Sequence, residues 1–446
     1  MRESKPAIAR PRPTLRVVAL LKDIMRISSP IAFFVVTLIF SSVQAQTQQT
    51  DAAEKMVRPR VVSAPAEQPP KQNPVAPVVV PVSPSTAGAA AERPKPLITS
   101  PGPVTHLTPS VIQARISEAE RMLKTRPVAT ALPTTPSISF VTIAALERET
   151  ARTHLVTISK ETFLTKGAEL QSVTSLGTNV TIRVLRANGV NTALTIDTAD
   201  GKSLAPLTIE YPIEKGGVFK ELAYYTSAHP ALMSRDLVNS GQSYVRNMID
   251  LAAKRLREKG VEISPELVDV AERLCVVEHV DHDRFRNESR IALYEEIYSL
   301  FALNELDTYR YSVSSAGAGG MVQMIPWAYN LERSRHPGVG LIPDFVTAMR
   351  NHGNALQAML LYMNDTWSEL AANEEVQYAL SAKLATKPEL LAAGYNSNAA
   401  KLPGYLKRGR DNWKGLIPRE TQMYLQIYKS FEGLVPLSTR SSSVRR

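Results

Sequence analysis

Leu267, Ala271, Leu274 and Glu278 follow one another at spacings of 4, 3 and 4, which puts all four on one face of a helix and ends an apolar stripe with a carboxylate. Either burial disfavours the charged form of that carboxylate, which suits a general acid, or Glu278 marks the point where the helix returns to solvent. Spacing alone leaves both readings open. The next residues, His279-Val280-Asp281-His282-Asp283, set two histidines three apart among carboxylates, so a metal reading arises. The order is not His-Glu-x-x-His, and His336 and His352 bring no supporting spacing, so a hydrogen-bonded loop at a helix end accounts for the cluster more simply and no metal or other cofactor is expected. The single cysteine, Cys275, excludes an intramolecular disulfide framework, a Cys-rich zinc site and a CxxC redox motif; in mid-helix it reads as a small buried hydrophobe. Any chemistry must come from oxygen and nitrogen groups.

The elements that must position Glu278 are legible around it. Ser264-Pro265-Glu266 supplies an N-cap, a proline at the first helical position and a first-turn acid, and a preceding helix over 244–259 closes at Gly260. Between residues 138 and 225 the pattern is β-branched and alternating, with strands expected at 180–185, 192–197, 207–213 and 218–225 and turns at Asn188-Gly189, Asp200-Gly201 and Gly216-Gly217. Ile112, Ile116, Ala119 and Leu123 mark one apolar helical face over 111–124, stopped before Pro127.

The 446-residue chain is 44% hydrophobic, long enough for two ordinary domains and spare sequence. Its first 28 residues are studded with Arg and Lys and lead into an apolar run over 31–40, followed by small residues at Val43 and Ala45. The run is short of the roughly 20 residues that span a bilayer, so it reads as a signal peptide cleaved after Ala45; an uncleaved N-terminal anchor is the alternative. Residues 46–110, rich in Pro, Ala, Val, Ser and Gln, cannot bury enough apolar surface to order themselves and are expected to form a disordered spacer. With 52 Lys+Arg against 42 Asp+Glu, a net charge of +10, the chain suits an anionic partner without selecting one.

Three further segments carry a resemblance. Ser314-Ser315-Ala316-Gly317-Ala318-Gly319-Gly320-Met321-Val322-Gln323-Met324-Ile325-Pro326 resembles the S-x-x-G-A-x-G-x-x-Q-x-x-P signature of the SLT-domain lytic transglycosylases, lysozyme-like enzymes that cleave peptidoglycan. Ala392-Ala393-Gly394-Tyr395-Asn396-Ser397-Asn398 is similar to that family's A-Y-N-A-G segment, and Pro418-Arg419-Glu420-Thr421-Gln422-Met423-Tyr424-Leu425 to its closing E-T-x-x-Y helix. With Glu278 upstream, four ordered motifs span about 180 residues, 255 to 432. His279 stands where the family has serine, and a helical insertion over roughly 287–304 separates Glu278 from the Gly-rich signature; Glu288-Ser289 preserves the Glu-Ser dipeptide and is a rival.

The resemblance implies an α+β chain: a signal peptide (1–45), a disordered Pro-rich linker (46–110), a helix and connector (111–137), a small β-rich accessory domain (138–228), a mostly α lysozyme-like catalytic domain (229–434) and a basic flexible tail (435–446). It implies that Glu278 is the catalytic acid and base. Ser315, Gly317, Gly320, Gln323, Tyr395, Asn396 and Tyr424 would bind substrate, Tyr395 orienting Glu278, and Glu420 would be a supporting acid. The substrate would be peptidoglycan glycan strands, and the location the periplasm or cell envelope of a bacterium. The basic segment 401–414, with Tyr405 and Trp413 interleaved, could help hold glycan strands. Nucleic acid is not expected, whereas cell-envelope proteins could dock on the Pro-rich linker or the β-rich domain. A lysozyme-like muramidase using Asp281 or Asp283 as a second carboxylate, and a catalytically silent wall-binding scaffold, are the alternatives.

Overall fold

The computed structural model describes residues 107–126, 137–227 and 229–440. The expected signal peptide, the Pro-rich linker up to residue 106, the connector 127–136 and residues 441–446 lie outside them. Thr108 caps α1 (Pro109–Thr125), whose proline sits at the first turn, so the helix starts two residues earlier than its apolar periodicity alone marks.

Seven strands follow: β1 (Phe140–Glu147), β2 (Arg152–Ser159), then after a short helix α2 (Lys160–Phe163) β3 (Glu169–Val173), β4 (Asn179–Arg186), β5 (Ala193–Thr198), β6 (Ser203–Lys215) and β7 (Val218–Tyr225). They form a curled antiparallel half-barrel in the order β2-β1-β6-β5-β4-β3, with β7 on β6. Gly216 and Gly217, at φ 59° and 72°, make the two-residue turn of the β6–β7 hairpin, where both positions need positive φ. The strand β6 pairs in turn with β5, β1 and β7 and is buried from Leu204 through Pro212, so its sequence lacks the alternation of a half-exposed strand.

Both faces of β6 are covered. On one, Leu204 and Ile209 join Val141, Ile143, Val156, Ile182 and Ile196 in the core of the half-barrel. On the other, Ala205 and Leu207 meet the stripe of α1 together with Leu232, Leu237, Ala302 and Leu303 from the helical half. The expected boundary at residues 228 and 229 is therefore crossed by a shared core. Polar bonds cross it too: Asn304 pairs through its side-chain amide with the backbone N–H and C=O of Thr226, at 2.8 and 2.5 Å, and Arg186 lies 2.7 Å from Glu296.

The helical half comprises α3 (Arg235–Glu258), α4 (Pro265–Val277), α5 (His282–Asn287), α6 (Arg290–Asn304), α7 (Pro326–Arg335), α8 (Phe345–Arg350), α9 (His352–Ala371), α10 (Glu374–Ser381), α11 (Lys387–Asn396), α12 (Leu402–Gly409), α13 (Trp413–Leu416) and α14 (Arg419–Leu434). Ser234 caps α3, which therefore begins nine residues before the start its periodicity suggests. Helix α4 is the axis of this half, packed among α3, α6, α9, α11 and α14, and every residue from Leu267 to Val277 is buried. Helix α6 is internal over most of Leu293 to Leu303: a Cβ at Gly241 of α3 would stand 1.9 Å from the Tyr298 carbonyl oxygen, so α3 and α6 meet backbone to backbone.

Burial of α4 leaves Asp269 and Glu272 needing partners, and the chain's end supplies them. Arg440 reaches back to Asp250, Asp269 and Glu272 at 2.7, 2.7 and 2.5 Å, and its backbone N–H donates to Asp269. The expected flexible tail from residue 435 is thus docked through residue 440, with Val435 in the core. Among the described residues no helix is long and apolar enough to cross a membrane.

Candidate active site

Glu278 terminates α4. Ser264 accepts from the Leu267 N–H at the start of the helix, and Glu278 itself is the C-cap, half-buried, its N–H donating to the Leu274 carbonyl at 3.0 Å. A carboxylate at a helix C-terminus gains nothing from the macrodipole, whose negative end lies there. Its position has to be held by other groups. The Tyr424 hydroxyl donates to Glu278 Oε1 at 2.8 Å, across 146 residues of chain.

The residue after Glu278 turns the other way. His279 is buried, stacks on Tyr309 with ring centroids 3.5 Å apart, and donates from Nε2 to the Met321 carbonyl at 2.8 Å. Burial pushes its pKa down to about 3, so the ring is neutral, and through its Nε2–H it acts as a clamp on the Gly-rich loop. Asp281 caps α5 by accepting from the Asp283 and Arg284 N–H groups, and Asp283 pairs with Arg286 at 2.9 Å. The rival dipeptide is a helix boundary: Ser289 caps α6, while Glu288 is ion-paired with Arg284, which also grips Glu296.

The Gly-rich segment is a tight loop leading into α7. Ser314 bonds across it to Ala318, Gly319 donates to the Met324 carbonyl and Gly320 to that of Ser312. Gly320, at φ 67°, is required there because a Cβ would stand 2.4 Å from the Met349 carbonyl oxygen. Its small size thus serves the seating of the loop on α8. Gln323 also has a role within the loop. At φ 46° it folds back, buried, and its amide donates to the Gly320 carbonyl at 2.8 Å, so it braces the loop. Gly317 makes the turn at φ 78°, its N–H donating to the Ser314 carbonyl, and Ser315 lies exposed at the loop's tip.

Helix α11 begins with a reciprocal Thr386–Glu389 capping box and carries Tyr395 and Asn396 at its end. The Tyr395 hydroxyl donates to the Val322 carbonyl at 2.6 Å, one residue beyond the carbonyl held by His279. Asn396 Oδ1 accepts from Thr421 of α14 at 2.9 Å, and Tyr424 lies one turn further along that helix. Glu420, half-buried in the first turn of α14, shares a helix side with Tyr424. Tyr424, a residue expected to bind substrate, thus has its hydroxyl on Glu278, and the Tyr395 hydroxyl donates to the loop.

Four segments far apart in sequence are thus tied by side-chain bonds: the end of α4 to α14 through Tyr424, the end of α4 to the loop through His279, the loop to α11 through Tyr395, and α11 to α14 through Asn396 and Thr421. The basic stretch 401–414 is less available than its sequence suggests. Trp413 is fully buried, Arg410 and Lys407 pair with Glu375, and Lys414 with Glu389. Comparison with protein-family models, with curated proteins and with solved structures finds no match to the chain in any of the three.

Proposed function

We propose that the chain is an exported peptidoglycan lytic transglycosylase in which Glu278 serves first as acid and then as base. The observation that carries this reading is the Tyr424–Glu278 hydrogen bond, which presents a half-buried carboxylate beside a loop and two helices that bear the other family-like motifs. In the proposed reaction Glu278 protonates the glycosidic oxygen between N-acetylmuramic acid and N-acetylglucosamine as the C1–O bond breaks. It then takes the proton of the muramoyl 6-hydroxyl as that oxygen closes on C1. The net result is transfer of one proton from the 6-hydroxyl to the departing oxygen, with no water consumed and a 1,6-anhydromuramoyl end formed. One carboxylate is enough for this. The hydrolase reading needs a second, and both nearby candidates have structural employment, Asp281 as a helix cap and Asp283 in an ion pair with Arg286.

The test is mass spectrometry of muropeptides released from purified sacculi by the chain lacking residues 1–45, beside its Glu278→Gln form. The reading expects products lighter by one water than hydrolytic ones, absent with Glu278→Gln, whose amide keeps the shape but has no acidic proton to give. Reducing-end products would replace it by the muramidase reading, and binding to sacculi without release by the wall-binding reading.

A further inference from the structure

Glu332 and His336 lie one helical turn apart at the end of α7, and Asp365 faces them from α9. This is the one group among the described residues whose His, Cys, Asp or Glu side chains converge within metal-ligand reach, each offering an atom within 4.8 Å of the others. The sequence reading found no supporting spacing for His336 because the partners it needs are carboxylates, one of them 29 residues away. His336 Nε2 stands 2.9 Å from Asp365 Oδ2 and 3.6 Å from Glu332 Oε2. A tetrahedral ion with bonds of about 2.0–2.1 Å holds its ligand atoms about 3.3–3.4 Å apart. Movements of a few tenths of an ångström would bring these two spacings to that value.

A second observation is independent of the spacing. Glu332 is fully buried, and neither of its carboxylate oxygens meets a hydrogen-bond donor; its contact with Asp365 is carboxyl to carboxylate and would need a shared proton. A buried carboxylate without a donor is costly, so a cation or a proton has to compensate it. The nearest fixed charge, Arg335, lies 3.8 Å from Glu332 and 3.6 Å from Asp365, beyond hydrogen-bonding reach of both, and donates instead to Glu369 at 3.1 Å. His336 and Asp365 are each about one-fifth exposed, which leaves a side open for an ion to enter and for water to complete its coordination.

We propose that Glu332, His336 and Asp365 form a site for one divalent transition ion, zinc before manganese, that fastens the end of α7 to α9. One imidazole with two carboxylates suits zinc or manganese better than magnesium or calcium, which favour all-oxygen sets. The ion's role is structural. Because α7 opens at Pro326, where the Gly-rich loop ends, it would stiffen that loop's exit. The inference stands on this geometry alone and does not depend on the peptidoglycan reading.

The experiment uses the chain purified after chelator treatment, titrated with zinc chloride by calorimetry and by competition with a chromophoric chelator, with native mass spectrometry for stoichiometry. One zinc per chain is expected with Kd below micromolar, and at free zinc a hundredfold above Kd the folded state gains about a hundredfold over the unfolded one, read as a rise in Tm. Asp365→Asn and His336→Ala, both at partly exposed positions, each weaken binding at least thirtyfold and abolish the Tm rise, whereas Glu369→Gln leaves both unchanged. Glu332→Gln, isosteric and uncharged, also loses the ion. The proposal is overturned if no one-to-one binding occurs, if binding survives in both Asp365→Asn and His336→Ala, or if Glu332→Gln stabilises the ion-free chain while zinc does nothing. That last outcome would show that Glu332 holds a proton, not a metal.

Discussion

Replacing Tyr424 by Phe removes one oxygen from the molecule, and with it the donor 2.8 Å from Glu278 Oε1. Tyr424 is 3% exposed, so water has little room to take the hydroxyl's place. A hydrogen bond to a charged acceptor contributes about 1.5–3 kcal/mol. If Glu278 is the group that moves the proton, that energy fixes the carboxylate in its working orientation, and kcat falls by about 10- to 100-fold. The ring remains and still fills its place, so the fold should lose at most that bond's contribution, about 1.5–3 kcal/mol, a fall of a few degrees in Tm. The assay is the initial rate of anhydromuropeptide release over a range of soluble glycan concentrations, with thermal unfolding measured on the same preparations. A drop in kcat at nearly constant KM, with Tm no more than a few degrees lower, supports a positioning role. A raised KM with kcat intact would restore Tyr424 to the substrate-binding role its sequence motif suggests, and wild-type kinetics would refute the reasoning that this bond holds the catalytic group.

Three further outcomes follow from the packing. Gly241→Ala should lower stability by about 1–3 kcal/mol or more, seen as a fall in denaturant midpoint, because the added Cβ would stand 1.9 Å from backbone at Tyr298; an unchanged midpoint would mean that α6 is not packed on α3 as described. Arg440→Ala should cost about 3 kcal/mol by leaving Asp269 and Glu272 buried without their shared cation, whereas a dispensable tail would cost nothing. Burial pushes the pKa values of His229 and His352 down to about 4 and that of His279 to about 3, from an ordinary 6.5. The unfolded chain therefore takes up protons below pH 6.5 that the folded chain refuses, so stability is full above that pH and declines as pH falls toward 4. Between pH 7.5 and 5 each histidine accounts for about 2 kcal/mol, and urea midpoints that are flat over this range would contradict the buried, neutral assignment.

How much of this was legible beforehand depended on whether the governing interaction was local. The helix opened by Ser264-Pro265 begins where its capping residues say it should, and the Gly216-Gly217 turn and the four-residue stripe of α1 follow from φ preferences and period alone. What escaped was set by contacts between distant elements. An apolar face on α4 was the right inference from Leu267, Ala271 and Leu274, but it said nothing of the opposite face, which carries Asp269 and Glu272 and is buried against Arg246 of α3 and Arg440, 168 residues or more downstream. The core that crosses residue 228 escaped for the same reason. Alternation reveals that a segment is strand, not that the second face of β6 will be shared between α1 and residues of α3 and α6.

The candidate site divides along the same line. That the end of α4, the Gly-rich loop, α11 and α14 belong together was suggested by motif order, and side-chain bonds tie these segments. Which atom bonds to which could not. Tyr395 and Tyr424 are the same side chain on two helices, and only the placement of α11 against the loop and of α14 against the end of α4 sends one hydroxyl to the Val322 carbonyl and the other to Glu278. The same argument explains His279 in the position where the resembling family has serine. With α6 between Glu278 and the Gly-rich loop, the loop is 36 residues or more from the carboxylate along the chain, and a long donor just past the end of α4 can tie the two together. The imidazole spans that gap to the Met321 carbonyl, and its stacking on Tyr309 fixes the direction. A serine there would be too short to make the same bond. His279→Ser should therefore loosen the loop, read as a fall in Tm, by removing the bond to the Met321 carbonyl.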